Sequence, residues 1–298
     1  MRVPASSANL GPGFDSLGLA LGLYDEVEVG VVADGVTVEV TGEGAAGVPR
    51  DERHLVVRAM RRAFDAFGGA PAGLRVRCRN AIPHARGLGS SAAAAVAGAV
   101  AAAALAGRDP LAERAALLQL AAGMEGHADN AAASLLGGFV VAWAVDAGTD
   151  AAGDTGTRFH AVGLDAHPGI LPVALVAGVE SSTAVTRNLL PEQVPLVDAA
   201  FTGSRTALAV LAFTRMPELL FAATEDRLHQ GYRRPAYPRS AALVDALRSR
   251  NVPAVISGAG PTVLALTGDG ALPDGVDLAG FTVLPLPVDP DGVAVDVG

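Results

Sequence analysis

The sequence contains no lysine, and all 22 of its basic residues are arginine. A nucleotide-binding P-loop requires a Gly-Lys-Ser/Thr step, so the missing lysine excludes that motif. It also excludes Schiff-base chemistry, which needs a lysine amine. Cysteine is almost as scarce, and the single Cys78 excludes an internal disulfide and a cysteine metal cluster.

Aromatic residues make up only 4% of the 298 residues, whereas hydrophobic residues, many of them alanine, make up 50%. This composition predicts a protein packed with small residues and large enough for two domains. A net charge of −9 argues against a general nucleic-acid or anionic-membrane surface, although a few arginines could still hold a small anion. No basic segment followed by an apolar core opens the sequence, so we expect a cytoplasmic protein.

Helical and strand patterns alternate irregularly along the chain, which predicts an α+β fold rather than a doubly wound parallel sheet. The uncharged run 87–107 is mostly alanine, so we predict a buried helix there rather than a membrane span. Gly98 within it would let another backbone approach closely. The polar, glycine-rich segment Asp146–Thr157 is either a domain boundary or a long hairpin loop. We therefore divide the chain into residues 1–155 and 156–298.

The stretch "IPHARGLGSS" (Ile82–Ser91) runs directly into the alanine-rich helix. A glycine-rich turn before a helix presents backbone N–H groups to an anion, and the helix dipole adds to the attraction. Gly87 and Gly89 would permit positive φ, while Ser90 and Ser91 offer hydroxyls to phosphate oxygens or Mg²⁺. These residues alone leave two interpretations open, a phosphate-binding loop and a glycine turn with a serine N-cap.

Two further motifs, "VPASSANLGPGFDSLGLAL" (Val3–Leu21) and "SGAGPTVLAL" (Ser257–Leu266), flank this stretch in the sequence. The three motifs in this order resemble the GHMP kinases. "EGHADN" (Glu125–Asn130), "SSTAVTRNLLP" and "YRRPAYP" are similar to the homoserine kinases within that superfamily. The resemblance implies an α+β, two-domain fold: a ribosomal-protein-S5-like N-terminal domain that binds ATP and a ferredoxin-like C-terminal domain. It also implies ATP-dependent phosphorylation of the L-homoserine hydroxyl, a step in threonine biosynthesis.

Homoserine is a zwitterion, so its site needs an anion for the ammonium group and cations for the carboxylate. By resemblance Asp15 meets the ammonium group, and Arg187 and Arg233 bind the carboxylate through planar donor forks. The adjacent Arg234 remains an alternative to Arg233. The other substrate-binding residues that the resemblance implies are Asn9, His127, Asn130, Thr183 and Gly258. The implied ATP-binding residues are Pro83, Gly87, Leu88, Gly89, Ser90, Ser91 and Ala92.

Catalysis of phosphoryl transfer depends mainly on positioning and charge neutralisation. The resemblance implies Mg²⁺, held by Glu125 and by a serine of the glycine loop, with Ser91 preferred to Ser90. This chain has Gly123 where close relatives often carry a second acidic residue, which puts the metal role of Glu125 in question. Asp129 matches the aspartate that some relatives use as a general base, but an Asp-Asn pair is also an ordinary capping arrangement.

Other interpretations of the sequence stay open. One is a GHMP kinase for another small alcohol, and another is a catalytically inactive nucleotide-binding regulator. A dehydrogenase is disfavoured because the dinucleotide fingerprint is absent. The remaining histidines lack metal-ligand spacing and are predicted to be surface or satisfied residues: His54, His160, His167 and His229. The short first strand suggests the hypothesis that translation starts upstream of Met1, and the low charge density is compatible with a homodimer.

Overall fold

A computed structural model describes residues 1–147, 156–181 and 183–296, without the side chains of residues 147, 183 and 184. The strands are β1 (Arg2–Asn9), β2 (Gly13–Val32), β3 (Gly35–Gly42), β4 (Gly73–Asn80), β5 (Phe139–Ala147), β6 (Gly156–Leu164), β7 (Leu171–Ala177), β8 (Ala254–Ile256), β9 (Val263–Thr267) and β10 (Phe281–Pro285). The α-helices are α1 (Leu55–Phe67), α2 (Ser90–Leu105), α3 (Arg114–Glu125), α4 (Asp129–Leu136), α5 (Thr183–Arg187), α6 (Leu196–Thr214), α7 (Leu220–Ala223), α8 (Gln230–Arg233) and α9 (Pro238–Arg248). The described strands form two sheets, which confirms the predicted α+β fold class.

The first sheet has six strands, with the order β3-β4-β2-β5-β6 and with β1 paired to β2. The 20-residue β2 changes its neighbours along its length: it pairs with β1 from Gly13 to Glu26 and with β5 from Leu17 to Leu19, and from Glu26 to Val32 it pairs with β4. In β4 the apolar side chains alternate with arginines. Leu74, Val76 and Cys78 are buried, whereas Arg77 and Arg79 pair with glutamates on the solvent face. Such alternation is expected of a sheet with one buried and one solvent-exposed face.

Helix α2 is buried along almost its whole length, which confirms the predicted buried helix. Other elements pack against α2 on several sides, so its apolar residues are not confined to one face of the helix. At Gly98 a Cβ atom would lie 2.3 Å from the Val56 carbonyl oxygen and 2.6 Å from the Ala59 Cβ. Glycine is therefore required there, because the backbones of α1 and α2 approach too closely for a side chain. The close approach expected at Gly98 is confirmed.

The second sheet is antiparallel, with the order β10-β7-β9-β8. One face carries α9 and encloses its own apolar cluster, which includes Val173, Leu243 and Ile256. The other face joins the main core together with α6. There the Phe139 ring of the first sheet stacks on the Phe213 ring of α6, with the centroids 4.9 Å apart. The two halves of the molecule therefore share one apolar core.

Strands β5 and β6 pair antiparallel from Phe139–Leu164 to Ala147–Gly156, as consecutive strands of a hairpin. Of the two interpretations of Asp146–Thr157, the described strands therefore favour the hairpin. The predicted domain boundary at 155/156 assigns β6 to the second domain, although β6 belongs to the first sheet. That boundary stays a prediction. Helix α6 is the one helix of the described chain that is long and apolar enough to cross a membrane, which by itself is weak evidence for a span.

Candidate active site

The glycine loop, defined as Gly87–Ser91, ends in the first turn of α2. Gly89 occupies the N-cap position with φ 72°, and no side chain caps this end of the helix. The serine N-cap interpretation is therefore wrong, because Ser90 is already the first helical residue. The first-turn amides of a helix have no acceptor within the helix, so here they are available to an anion. Both Gly87 and Gly89 have the positive φ that their prediction required.

Buried hydrogen bonds join the three sequence motifs at this loop. Ser257 Oγ donates to the Gly87 carbonyl oxygen at 2.6 Å and lies 2.8 Å from Ser7 Oγ. Asn9 Nδ2 donates to the Gly258 carbonyl oxygen at 2.8 Å, and its Oδ1 accepts from the Asp15 amide at 3.0 Å. The hydroxyls of Ser7 and Ser257 are fully buried, so their mutual bonds satisfy groups that would otherwise be costly to bury. The motifs thus form one connected framework around the loop.

A cleft of about 650 Å³ lies beside this framework. Its volume falls in the range of small-molecule sites. The predicted residues that line it are Asn9, Asp15, Pro83, Gly87, Leu88, Gly89, Ser90, Ser91, Glu125, His127, Asp129, Asn130, Arg187, Arg233 and Gly258. Ala92 is buried in the first turn of α2 and is not part of the lining. Thr183 lies at the start of α5, and its side chain is outside the described part of the chain.

The charged cluster, defined as Asp15, Arg187 and Arg233, brings together residues that are distant in sequence. Arg187 Nη1 and Nη2 donate to the two Asp15 carboxylate oxygens at 2.9 and 2.8 Å. This bidentate bond raises the pKa of Arg187. Arg233 is only 1% exposed, and burial lowers the pKa of its guanidinium. The alternative residue, Arg234, is exposed and pairs with Asp245 away from the cleft.

His127, Asp129 and Asn130 form a second polar group in the cleft at the start of α4. Asp129 Oδ1 lies 2.8 Å from His127 Nδ1 and accepts from the Asn130 amide at 2.8 Å. The bond to the Asp129 carboxylate raises the pKa of His127. The N-cap of α4 is Ala128 and no side chain caps this helix, so the capping interpretation of Asp129 is wrong. Asp129 Oδ2 has no hydrogen-bond partner within the described ranges, and the residue is nearly fully buried.

The two residues predicted to hold a metal are in contact, since Ser91 Oγ donates to Glu125 Oε2 at 2.7 Å. One carboxylate and one hydroxyl beside a phosphate-binding helix end fit Mg²⁺, which usually completes its shell with phosphate oxygens and water. No group of three or more His, Cys, Asp or Glu side chains that could hold a metal occurs in the described part of the chain. At Gly123 a Cβ atom would lie 3.0 Å from Arg62 Nη2, so an arginine occupies the space beside this position.

Several lining residues had no predicted role in the site. For one of them, His54, the prediction of a surface or satisfied residue is wrong. His54 is buried, burial lowers its pKa, and its Nδ1 has no hydrogen-bond partner in the described structure. The lining also includes the apolar side chains of Val27, Leu55 and Cys78. Arg86 is a second unpredicted lining residue, and its guanidinium donates to the Ala177 and His84 carbonyl oxygens. No motif in the sequence places His54 in the site. Arg86 directly precedes the glycine loop, and that position could have predicted it as a lining residue.

Sequence families match both halves of the chain. The GHMP kinases N terminal domain matches residues 54–138, which include the glycine loop and α2. The GHMP kinases C terminal family matches residues 204–276, which include the third motif. A homoserine kinase from Rhodococcus erythropolis is 54% identical over 304 residues and covers 99% of this chain and 94% of its own. The chain belongs to the homoserine kinases of the GHMP kinase family.

This chain is also similar to other members of the family, both in sequence and in structure. The homoserine kinase from Streptomyces avermitilis is 52% identical over 281 residues, covering 94% of this chain and 89% of its own. The crystal structure of a homoserine kinase from Cytophaga hutchinsonii superposes with a TM-score of 0.78 at 25% identity, covering 98% of this chain and 95% of that one. A mevalonate kinase structure, at 12% identity and a TM-score of 0.65, shares the fold. The predicted two-domain GHMP kinase fold is confirmed.

Proposed function

We propose that this chain transfers the γ-phosphoryl group of ATP to the side-chain hydroxyl of L-homoserine, as a step of threonine biosynthesis. The observation that carries the proposal is the position of the charged cluster in the same cleft as the glycine loop. An acceptor that carries both an ammonium group and a carboxylate explains why a carboxylate and two guanidinium groups lie together there. An uncharged alcohol would give no reason for Arg187 and Arg233.

Substrate binding is proposed to exchange partners within the charged cluster. The Asp15 carboxylate, now paired with Arg187, would receive the substrate's ammonium group. The freed Arg187 and the buried Arg233 would then bind the substrate's carboxylate. Because each charge lost from the Asp15–Arg187 pair is replaced by a charge of the zwitterion, the exchange leaves no ion unpaired.

Nucleotide binding is proposed at the glycine loop and at the apolar part of the cleft. The amides at the start of α2 would hold the phosphates, and the apolar lining side chains of Val27, Leu55 and Cys78 would take the base. Glu125 and Ser91 are the residues that would hold Mg²⁺, which when bound neutralises phosphate charge. The remaining chemistry needs alignment, since the homoserine oxygen must attack the γ-phosphorus in line with the leaving oxygen of ADP.

The proton of the attacking hydroxyl is proposed to go to Asp129. Its carboxylate is held through Oδ1 by His127 and by the Asn130 amide, which leaves Oδ2 free to accept. A positioned general base typically contributes 10²–10⁴-fold to a rate. The contacts of Oδ1 would thus fix the orientation of the carboxylate, and Oδ2 would take the proton.

ADP release with Mg-ATP tests the function against a panel of L-homoserine, mevalonate, galactose and no acceptor. We expect turnover with L-homoserine alone and a product whose mass gains one phosphoryl group. Turnover with another alcohol would keep phosphoryl transfer but reject the role of the charged cluster. ATP binding without turnover would favour a regulator.

The same assay tests the base with Asp129→Asn and with the exposed control Asp65→Asn. We expect kcat to fall at least about 100-fold in the first variant and to stay at the wild-type value in the second. An Asp129→Asn enzyme that kept more than about a tenth of wild-type kcat would reject the base while leaving phosphoryl transfer intact.

A further inference from the structure

Arg233 is a buried cation without an ion-pair partner. It is among the largest fully buried side chains, and no carboxylate of the described chain lies within 4.0 Å of its guanidinium nitrogens. Two hydrogen bonds of its guanidinium go to neutral acceptors: Nε donates to the Thr186 carbonyl oxygen at 3.3 Å, and Nη1 donates to His229 Nδ1 at 3.5 Å. A buried charge is normally paired, so this arrangement needs a functional reason.

The contacts of His229 define its tautomer. His229 Nε2 lies 2.6 Å from the Gly11 carbonyl oxygen, which can only accept, so Nε2 carries a hydrogen. A guanidinium can only donate, so Nδ1 must present a lone pair to Arg233 Nη1. The imidazole is therefore neutral, which agrees with its 1% exposure and with a pKa that burial lowers. Asp226 Oδ2 accepts the His229 amide at 3.0 Å and also lies 3.7 Å from His229 Nε2, so this buried carboxylate faces the nitrogen that carries the hydrogen.

Phe14 links this histidine to both arginines. Its ring centroid lies 5.1 Å from the His229 ring and 5.2 Å from the Arg233 guanidinium carbon. The Arg187 guanidinium carbon lies 5.3 Å from the same centroid. Phe14 directly precedes Asp15 in the chain. Its aromatic ring and the His229 imidazole, both uncharged, therefore pack beside the charged cluster.

We propose that His229 is the positioning residue of Arg233: it is fixed to the Gly11 carbonyl through Nε2–H and orients the guanidinium through Nδ1. This inference rests on the proposed function, since it assigns the carboxylate of the amino-acid substrate to Arg233. A carboxylate in place of His229 would orient Arg233 equally well but would neutralise it. A neutral acceptor orients the guanidinium and leaves its charge available to the substrate. The contact of 3.5 Å is long, as site hydrogen bonds often are before substrate binds.

Two substitutions separate the two nitrogens of His229. Gln places an amide near Nε2, so His229→Gln keeps the donor to Gly11 and loses the acceptor for Arg233. Asn places its oxygen near Nδ1, so His229→Asn keeps the acceptor for Arg233 and loses the bond to Gly11. We expect the KM for L-homoserine to rise about tenfold in His229→Gln, with kcat and the KM for ATP nearly unchanged. In His229→Asn the rise should be less than about threefold.

The opposite order, with Gln harmless and Asn damaging, would mean that only the Gly11 contact matters and would overturn the proposal. Equal effects of both variants on every kinetic constant would overturn it as well. A cycle with Arg233→Met adds a second criterion. In that background His229→Gln should raise the KM no further, and a full additional tenfold effect would show that His229 acts independently of Arg233.

A measurement on the unliganded protein does not need the proposed substrate, and its first result comes from the wild-type chain alone. In a sample labelled with ¹⁵N at histidine, the ring-nitrogen chemical shifts distinguish the tautomers. We expect Nδ1 of His229 to be unprotonated and its resonance to move in Arg233→Met. A protonated Nδ1, or a resonance that ignores Arg233→Met, would overturn the proposal. The assay with the panel of acceptors tests the proposed function separately. A failure of the proposed function is therefore distinguishable from a failure of the role proposed for His229.

Discussion

The glycine loop and the charged cluster face one cleft but are built in different ways. The loop is backbone: Gly87 and Gly89 adopt φ of 77° and 72°, and the helix end behind them offers amides rather than side chains. The cluster is made of side chains, and its Asp15–Arg187 pair joins positions 172 residues apart. The loop therefore depends on the course of one short segment, whereas the cluster depends on the tertiary fold.

The two constructions differ in how much change they tolerate. At the loop the neighbouring backbone leaves no room, because a Cβ atom on Gly87 would lie 2.2 Å from the Ser257 carbonyl oxygen. The cluster holds two cations for one substrate carboxylate, so loss of one leaves the other. We therefore expect a methyl group added to the loop to be more damaging than removal of a charge from the cluster.

The largest effect is expected for Gly87→Ala. The substitution places a side chain at positive φ, which costs about 1–2 kcal/mol, and also forces the loop away from Ser257. A displacement of about 1 Å can cost 10²-fold in rate, so we expect kcat/KM for ATP to fall at least 100-fold. Steady-state kinetics and urea denaturation measure the two effects.

Gly35→Ala is the matched control for this variant. Gly35 has φ 72°, but nothing lies within 4 Å of its Cβ position, and it does not line the cleft. It should lose about 1–2 kcal/mol of stability and no activity. Equal stability losses in the two variants, with full activity in both, would show that the loop is not held rigidly by Ser257.

A smaller effect is expected for Arg187→Met. Loss of a charge-assisted bond to the substrate carboxylate should raise the KM for L-homoserine about 10- to 100-fold, with the KM for ATP unchanged. Stability should change by less than about 1 kcal/mol, because the side chains of Arg187 and Asp15 are 42% and 33% exposed. Arg53→Met, which breaks the exposed Arg53–Asp51 pair, is the control and should leave the kinetics unchanged. An equal rise in both KM values would contradict a selective role for Arg187.

Local features of the sequence predicted the loop well. The run of alanines directly after the glycine-rich stretch predicted helix α2, which begins at Ser90. The beginning of β2 was less evident, because glycines and polar residues in "GPGFDSLG" obscure a strand. Helix α4 was also missed, since Asp129–Leu136 is short and its alanines carry little periodic signal.

The charged cluster shows the limit of prediction from sequence. The resemblance identified its members, but it did not predict that Asp15 and Arg187 would pair with each other. His229 was set aside because its neighbours lack metal-ligand spacing. Its partner Gly11 is 218 positions away, and only the folded chain brings them together. Contacts of this kind depend on tertiary packing, which local patterns do not contain.

The smallest expected effect concerns the pH dependence of stability in the polar group that contains His127. The bond to Asp129 raises the pKa of His127 in the folded state, and Asp15 and Glu125 act in the same direction. The folded protein therefore binds this proton more tightly than the unfolded chain. The stabilisation is fully present below the unfolded pKa of about 6.5 and is lost as the pH rises through the folded pKa.

His127→Gln should accordingly lose more stability relative to wild type at pH 6 than at pH 8.5. His160→Gln is the control, because His160 is exposed on β6 and lies outside the cleft. Buried His229, which lies near Asp226, Arg233 and Asp15, has a lowered pKa and acts with the opposite sign, and buried His54 does the same. The stability of the wild type alone would therefore combine the contributions of all three histidines. Only the difference between wild type and His127→Gln isolates the contact with Asp129. A difference that grew with rising pH would mean that Asp129 does not hold the His127 proton in the folded state.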